Sequence, residues 1–232
     1  KIAMDRSGVM FVIAPGFGVY ISSDHFHFHR LDFSGTSIDE TSPGQISFDR
    51  NNNLLLVYGD SIFIVHNIER YSLLIPAGAG GTNISVSSSD VRHIVENISA
   101  NSSLTGKIEI DDLNVIWIPF KHGLLKISNN DVVLYGRSDG LRGGSVLSVS
   151  IKSPSHRFVC CENAVYEMTG DYITKFNLRN SEIAPVSLNE QRTQEVYSQE
   201  FLSNNYAFWT KDSSLLISSL SEVVQISYLD EK

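Results

Sequence analysis

Short apolar runs of four or five residues, each broken by Gly, Asn, Asp or Ser, recur along the whole chain, and the 3.6-residue stripe of an amphipathic helix is scarce. Val, Ile, Leu, Phe and Tyr fill these runs, and their branched or aromatic side chains suit a pleated surface. The pattern predicts a nearly all-β chain. Two runs joined by a tight turn recur five times: Val9–Ile13 with Gly18–Ile21, Leu54–Val57 with Ser61–Val65, Val115–Ile118 with Gly123–Ile127, Arg157–Cys161 with Ala164–Met168, and Ser214–Ile217 with Glu222–Ile226.

Marking each unit at the start of its second run, and taking the fifth at Glu222, gives positions 18, 61, 123, 164 and 222, hence steps of 43, 62, 41 and 58. The two long steps each contain a polar stretch, 78–106 and 180–200, which read as insertions in a repeat of about 42 residues. An inner run precedes each pair: Ile2–Asp5, Gln45–Asp49, Lys107–Asp111, Val146–Ser150 and Tyr206–Trp209. An outer run follows the first four, at His29–Phe33, Tyr71–Ile75, Val132–Tyr135 and Tyr172–Phe176; after the fifth none is left, so a segment from elsewhere completes it or the array continues. Four short strands per repeat of this length are the signature of a β-propeller blade, whose sheet buries its faces against its neighbours. The expectation is therefore an all-β fold, a β-propeller or propeller fragment of about five four-stranded blades, forming one domain over 1–232 with blades at 2–35, 44–77, 107–137, 145–178 and 201–230. Phe11, Leu56, Trp117, Phe158 and Ile217 are expected at corresponding buried positions of the second strands.

Ile116-Trp117-Ile118, His122-Gly123-Leu124-Leu125-Lys126-Ile127, Tyr135, Ser138-Asp139-Gly140-Leu141 and Ser145-Val146-Leu147-Ser148-Val149 together resemble the propeller repeat of two-component regulators, and Asp5-Arg6-Ser7-Gly8 with Gly18-Val19-Tyr20 is a fainter copy. Pro119-Phe120 and Arg142-Gly143-Gly144 depart from that repeat. The resemblance implies a sensor module of a signalling protein, periplasmic or extracellular, that binds a ligand or protein partner without catalysis or cofactor. An intracellular WD-like scaffold that assembles protein complexes is the alternative, and an enzyme on the same fold is the third reading.

Charge narrows the partners. A net charge of −8 opposes general binding to a nucleic-acid backbone, although Lys121, Arg137 and Arg142 make a local basic patch. No apolar run approaches the roughly 18 residues of a membrane helix, and the chain is read as a possible oligomer or part of a larger parent protein. Cys160 and Cys161 are sequence neighbours, unsuited to a mutual disulfide, and their apolar run predicts small buried hydrophobes rather than nucleophiles. His25, His27 and His29 alternate, so on a strand they share one face and a pair can reach a metal ion, but no further ligand can be assigned and the expectation is solvated imidazoles with no metal. Gly78-Ala79-Gly80-Gly81-Thr82 lacks the Lys-Ser/Thr pair of a phosphate loop, and no Gly-x-Ser-x-Gly elbow occurs, so no catalytic residue is assigned. Asn83, Asn97 and Asn101 head Asn-x-Ser sequons that suit a glycosylated loop or arise by chance in Ser/Asn-rich sequence. The segment Ser138–Arg142 is the place to look for ligand contacts, with Gly140 expected first to serve a positive-φ turn.

Overall fold

The computed structural model describes residues 1–36, 38, 44–58, 61–75, 81–95, 104–129 and 131–175 with their side chains, and 182–185, 206–209, 214–218 and 223–227 as backbone. Two compact units form, Lys1–Ser102 and Ser103–Lys232. In the first, β1 (Ile2–Met4), β2 (Met10–Ala14), β3 (Gly18–Ser22) and β4 (His29–Asp32) make one antiparallel sheet in chain order. A second sheet starts with β5 (Gly44–Phe48), β6 (Leu54–Tyr58) and β7 (Ser61–Val65). Phe11, Ile13, Val19, Ile21 and Leu31 of the first sheet share a core with Leu54, Leu56 and Phe63 of the second, and the Phe11 and Phe48 rings meet edge to face at 5.0 Å.

The chain then departs from its sequence pattern. Tyr71–Ile75 is not an outer strand: α1 (Ile68–Ser72) occupies that stretch, because Ile68 and Tyr71, three residues apart, bury together in the core while Glu69 and Arg70 face solvent. The expected first insertion supplies the strands instead. Asn83–Ser85 is β8, which pairs parallel to β4 as a fifth strand of the first sheet, and Val91–Val95 is β9, which pairs with β7 as the outer strand of the second. The imidazole of His93 stacks on Phe63 at 4.5 Å.

The second unit holds three sheets. The first comprises β10 (Glu109–Ile110), β11 (Ile116–Phe120), β12 (Gly123–Ser128) and β13 (Asp131–Tyr135); the next, β14 (Val146–Ser153), β15 (His156–Cys161), β16 (Ala164–Thr169) and β17 (Tyr172–Lys175). The last contains β18 (Glu182–Pro185), β19 (Tyr206–Trp209), β20 (Ser214–Ser218) and β21 (Val223–Ser227), in the order β18-β21-β20-β19. The missing outer strand of the fifth repeat is thus β18, which precedes the other three and comes from the segment expected as the second insertion. Residues 186–200 of that segment, like Asn97 and Asn101, lie outside the described residues. Among the described residues, five antiparallel four-strand sheets, one with an added parallel edge strand, are the blades of a propeller, and the fold is all-β propeller.

A turn repeated three times joins the inner strand to the second strand. Asp5, Asp49 and Asp111 each accept, through Oδ1, the backbone N–H groups two and four residues on, at 2.8–3.0 Å. The residue three on sits at positive φ: Gly8 at 83°, Asn52 at 62° and Asn114 at 63°. Counting six residues from each Asp reaches Phe11, Leu55 and Trp117. The structural equivalent in the second blade is therefore Leu55, not Leu56, and Leu56 points to the opposite face of its sheet, into the core shared with the first blade. Phe158 stands three residues before the end of its hairpin, as Trp117 does. Phe11, Leu55, Trp117 and Phe158 are all fully buried. Ile217 lies on β20, paired with Ala207 and Val224.

Buried Asp90 ties α1 to the strand that replaces the expected one. Its carboxylate accepts the Tyr71 hydroxyl at 2.6 Å and the Asn67 amide at 3.0 Å, and these bonds hold it below the usual carboxylate range. A carboxyl depressed on folding stabilises the fold above its unfolded value of about 3.9, and that contribution disappears as pH falls through the lower folded value. The melting temperature should therefore fall as pH drops below about 4, with a shallower decline in Asp90→Asn, read by calorimetry across a pH series.

Candidate functional site

The most heavily constructed place among the described residues lies inside the second unit, around Trp117. Its indole is fully buried on β11 and donates through Nε1 to Asp111 Oδ2 at 3.3 Å, so the repeated turn also fixes the ring. The Arg157 guanidinium, from β15 of the next blade, lies over that ring at 4.1 Å from its centroid, and Lys126 Nζ lies 5.7 Å from it. Arg157 donates to the carbonyls of Gly170, at 3.1 Å, and Pro154. Burial pulls its pKa down, and the charge of Asp111, the largest opposing influence, pushes it back up. At the edge of the cluster Tyr135 donates to Asp171 Oδ1 at 2.5 Å, and Lys126 Nζ donates to the same oxygen at 2.9 Å.

The cluster's chemistry is that of fixed charges. Burial, reinforced by Asp171, holds the Tyr135 phenol well above its usual range, while bonds from Tyr135 and Lys126 hold Asp171 below the carboxylate range. Arginine stays cationic at any accessible pH. The shifts of Tyr135 and Asp171 move both groups away from proton transfer near neutrality, the reverse of what a general acid or base requires. The cluster ties the two blades together near the β10–β11, β14–β15 and β16–β17 turns, at the end of the sheets opposite a second set of loops.

Those loops gather at one end of the two sheets. The β11–β12 turn carries Lys121 and His122, the β13–β14 connection carries Arg137 to Arg142, and the β15–β16 turn carries Glu162 and Asn163. Antiparallel alternation sets the first turn and the end of β13 side by side, and the bonds Asn163 N–H to Gly143 O at 2.8 Å and Glu162 N–H to Ser145 O at 3.0 Å lay the connection on the third element. Lys121, Arg137 and Arg142 are all exposed there, beside Asp139 and Glu162. Glu162 accepts the backbone N–H of Ser145 at 3.1 Å, and bonds from Ser145, with the charge of Lys121, keep it below the usual carboxylate range. Gly140 has φ 113° and closes a single 3₁₀ turn over Arg137–Asp139, so the residue expected to serve a positive-φ turn does so. The Asp139 carboxylate accepts the Gly136 N–H at 2.8 Å, and Leu141 is buried beneath.

The three histidines do not converge. Residues 23–27 form a bend rather than a strand, so the alternation that would align them is lost. His25 bonds through Nε2 to the Gly8 carbonyl at 2.9 Å, His27 Nδ1 lies 2.6 Å from Asp24 Oδ2, and buried His29, on β4, sits 2.6 Å from Thr82 Oγ1. Among the described residues no group of three or more His, Cys, Asp or Glu side chains is placed to hold a metal ion. Asn83 is exposed on β8. Cys160 and Cys161 are buried with free thiols, both pushed up to about 12 by burial. A thiol reagent should therefore leave the folded chain unmodified and label both only after denaturant is added; rapid labelling of the native protein would show that one of them is accessible.

No helix among the described residues is long and apolar enough to cross a membrane. No protein-family model matches the chain, and no curated protein matches it. Solved structures do. The extracellular domain of the hybrid two-component system BT4673 from B. thetaiotaomicron aligns over 99% of this chain with a TM-score of 0.63 at 10% identity, and that of BT3049 from the same organism over 98% with 0.62 at 12%. The chain covers 27% of each. YCF48 from Cyanidioschyzon merolae aligns over 97% of the chain and 67% of its own length, with a TM-score of 0.52 at 11% identity. At these identities the likeness is one of fold: the chain is built as propeller blades similar to those of the extracellular domains of these two-component systems, and it spans about a quarter of their length.

Proposed function

We propose that this chain is a recognition module that binds a protein partner or a small polar ligand without transforming it, and that it forms part of the extracytoplasmic sensor region of a signalling protein. The observation that carries the reading is the collection of exposed Lys121, Arg137, Arg142 and Asp139 with half-buried Glu162 from three loops at one end of two blades that a buried cluster of fixed charges ties together. A rigid sheet that carries polar loops at one end is how a scaffold positions recognition residues. Both signs of charge are present, which suits a polar partner surface better than a polyanion. The extracellular domains with similar folds belong to two-component systems, and this supports the sensor setting.

The test is a binding screen of the purified chain against oligosaccharides, amino acids and peptides by thermal shift, with hydrolytic assays alongside. Saturable binding that is lost in a Lys121→Ala, Arg137→Ala, Arg142→Ala triple variant of unchanged melting temperature is the expected result. Turnover abolished by one side-chain replacement, or binding indifferent to the triple variant, would overturn the reading.

A further inference from the structure

In a propeller the outer strand of each blade has one edge that no other blade covers, and such edges are kept short or protected. The outer strands described here with their side chains manage that edge differently. On the first blade β8 lies along β4, and Ile84 closes a buried row formed by Ile13, Val19 and Leu31 across the sheet. On the second, β9 breaks register against β7 and carries Arg92 and His93. On the fourth, β17 ends in Thr174 and Lys175. On the third, β13 has none of these protections. It keeps unbroken register with β12 over Asp131-Val132-Val133-Leu134-Tyr135, contains no Lys, Arg or Pro, and among the described residues no strand lies beyond it. The buried rows Ile116 with Ile127 and Ile118 with Leu125 run out onto Val132 and Leu134, which are 39% and 46% exposed. Val133, on the other face, is 41% exposed, so the edge is open on both sides. Alternate residues of such a strand also turn their N–H and C=O groups away from the sheet.

We propose that the outer edge of β13 takes an extended segment of a partner protein as a fifth strand, with apolar side chains at alternate positions that cover Val132 and Leu134. The chain itself holds an example of the fit. On the first blade β8 pairs in parallel with β4, Arg30 with Asn83, Leu31 with Ile84 and Asp32 with Ser85, and Leu31 and Ile84 are both buried. Main-chain hydrogen bonds give such an added strand its affinity, and pockets for every second side chain give it specificity. Asp131 is the only charge on β13 and the whole chain carries −8, so the edge favours a neutral or basic segment over a second copy of itself. The site lies along a sheet edge and uses none of the loop residues Lys121, Arg137 and Arg142, so it is separate from the recognition surface those loops form.

The probe is the β8 segment itself, a capped Gly81–Ser87 peptide, neutral and with Ile84 and Val86 at alternate positions, titrated into the isotope-labelled 232-residue chain. Saturable binding that slows amide hydrogen exchange at Val132, Val133 and Leu134 is expected, and an Ile84→Asp peptide should not bind. The dissociation constant should rise about tenfold or more in a Val132→Lys, Leu134→Lys variant of the chain. Both side chains are partly exposed, so the fold tolerates the change, and circular dichroism checks this. Binding should persist in the Lys121→Ala, Arg137→Ala, Arg142→Ala triple variant, which keeps this site distinguishable from the loop surface. No binding, protection confined to β4, or binding lost in the triple variant would overturn the inference. Slowed exchange at β13 that develops on concentrating the chain alone would give the edge to a second copy and overturn the partner segment as its occupant.

Discussion

Replacing Trp117 by Ala is expected to cost about 3–5 kcal/mol, the cost of emptying a fully buried aromatic site. The ring is 0% exposed and packs among Val115, Leu124, Tyr135 and Val159 in a core that spans two blades, so a cavity opens where neither sheet can close on the other. A second loss adds to the first. Arg157, 2% exposed, keeps its charge buried but loses the aromatic face on which it rests at 4.1 Å. Trp117→Phe retains much of the packing and a weaker face for the cation, and it should cost distinctly less than Trp117→Ala. Urea unfolding of the three proteins checks the order; equal stability of Trp117→Ala and the parent would mean that the ring does not organise this core.

How much of this was legible in the sequence depended on whether a strand is covered on one face or two. β2 reads as Met-Phe-Val-Ile-Ala, and the spacing of Phe11 from its hairpin turn suffices to place it. β6 reads as Leu-Leu-Leu-Val-Tyr, buried on both faces, and a continuous apolar run carries no signal for which residue points where, which is why Leu56 was expected in the place that Leu55 takes. The outer strands Asp131–Tyr135 and Tyr172–Lys175 fall where their β-branched and aromatic residues predict, and His29–Asp32 where the repeat spacing does. Tyr71–Ile75 is as apolar yet ends a helix and turns, because burial of Ile68 with Tyr71 and the bond from Tyr71 to Asp90, nineteen residues on, override local preference. Long-range bonds of this kind leave no mark in a local window. The Arg157 cluster was hidden for the same reason, since Arg157 and Trp117 are forty positions apart in the sequence. The threefold Asp turn, in contrast, was present in the sequence as Asp5-x-x-Gly8, Asp49-x-x-Asn52 and Asp111-x-x-Asn114, and a search for Asp three residues before Gly or Asn at the end of each inner run would have found it.

That turn gives the second large effect. Asp111→Ala should destabilise by about 3–5 kcal/mol, the range for removing one member of a buried charge pair, whereas Asp5→Ala should cost about 1–3 kcal/mol, the range for orphaning buried hydrogen-bond donors. Both aspartates close the same turn, accepting the N–H groups of Ser7 and Val9 in one case and of Leu113 and Val115 in the other. The difference lies in the second oxygen. Asp5 Oδ2 has no hydrogen-bond partner, whereas Asp111 Oδ2 accepts the Trp117 indole N–H and its charge supports buried Arg157. Removing Asp111 therefore frees two backbone donors, releases the ring that carries the cation, and strips the cation of the carboxylate that most supports its charge. Asp111→Asn separates these contributions: its Oδ1 still closes the turn, but the charge is gone and its amide group faces the indole N–H donor to donor. Chemical denaturation should rank the variants Asp5→Ala, then Asp111→Asn, then Asp111→Ala in increasing loss. If Asp5→Ala and Asp111→Ala lose the same stability, the turn alone accounts for both, and the link from Asp111 through Trp117 to Arg157 carries no stabilising energy.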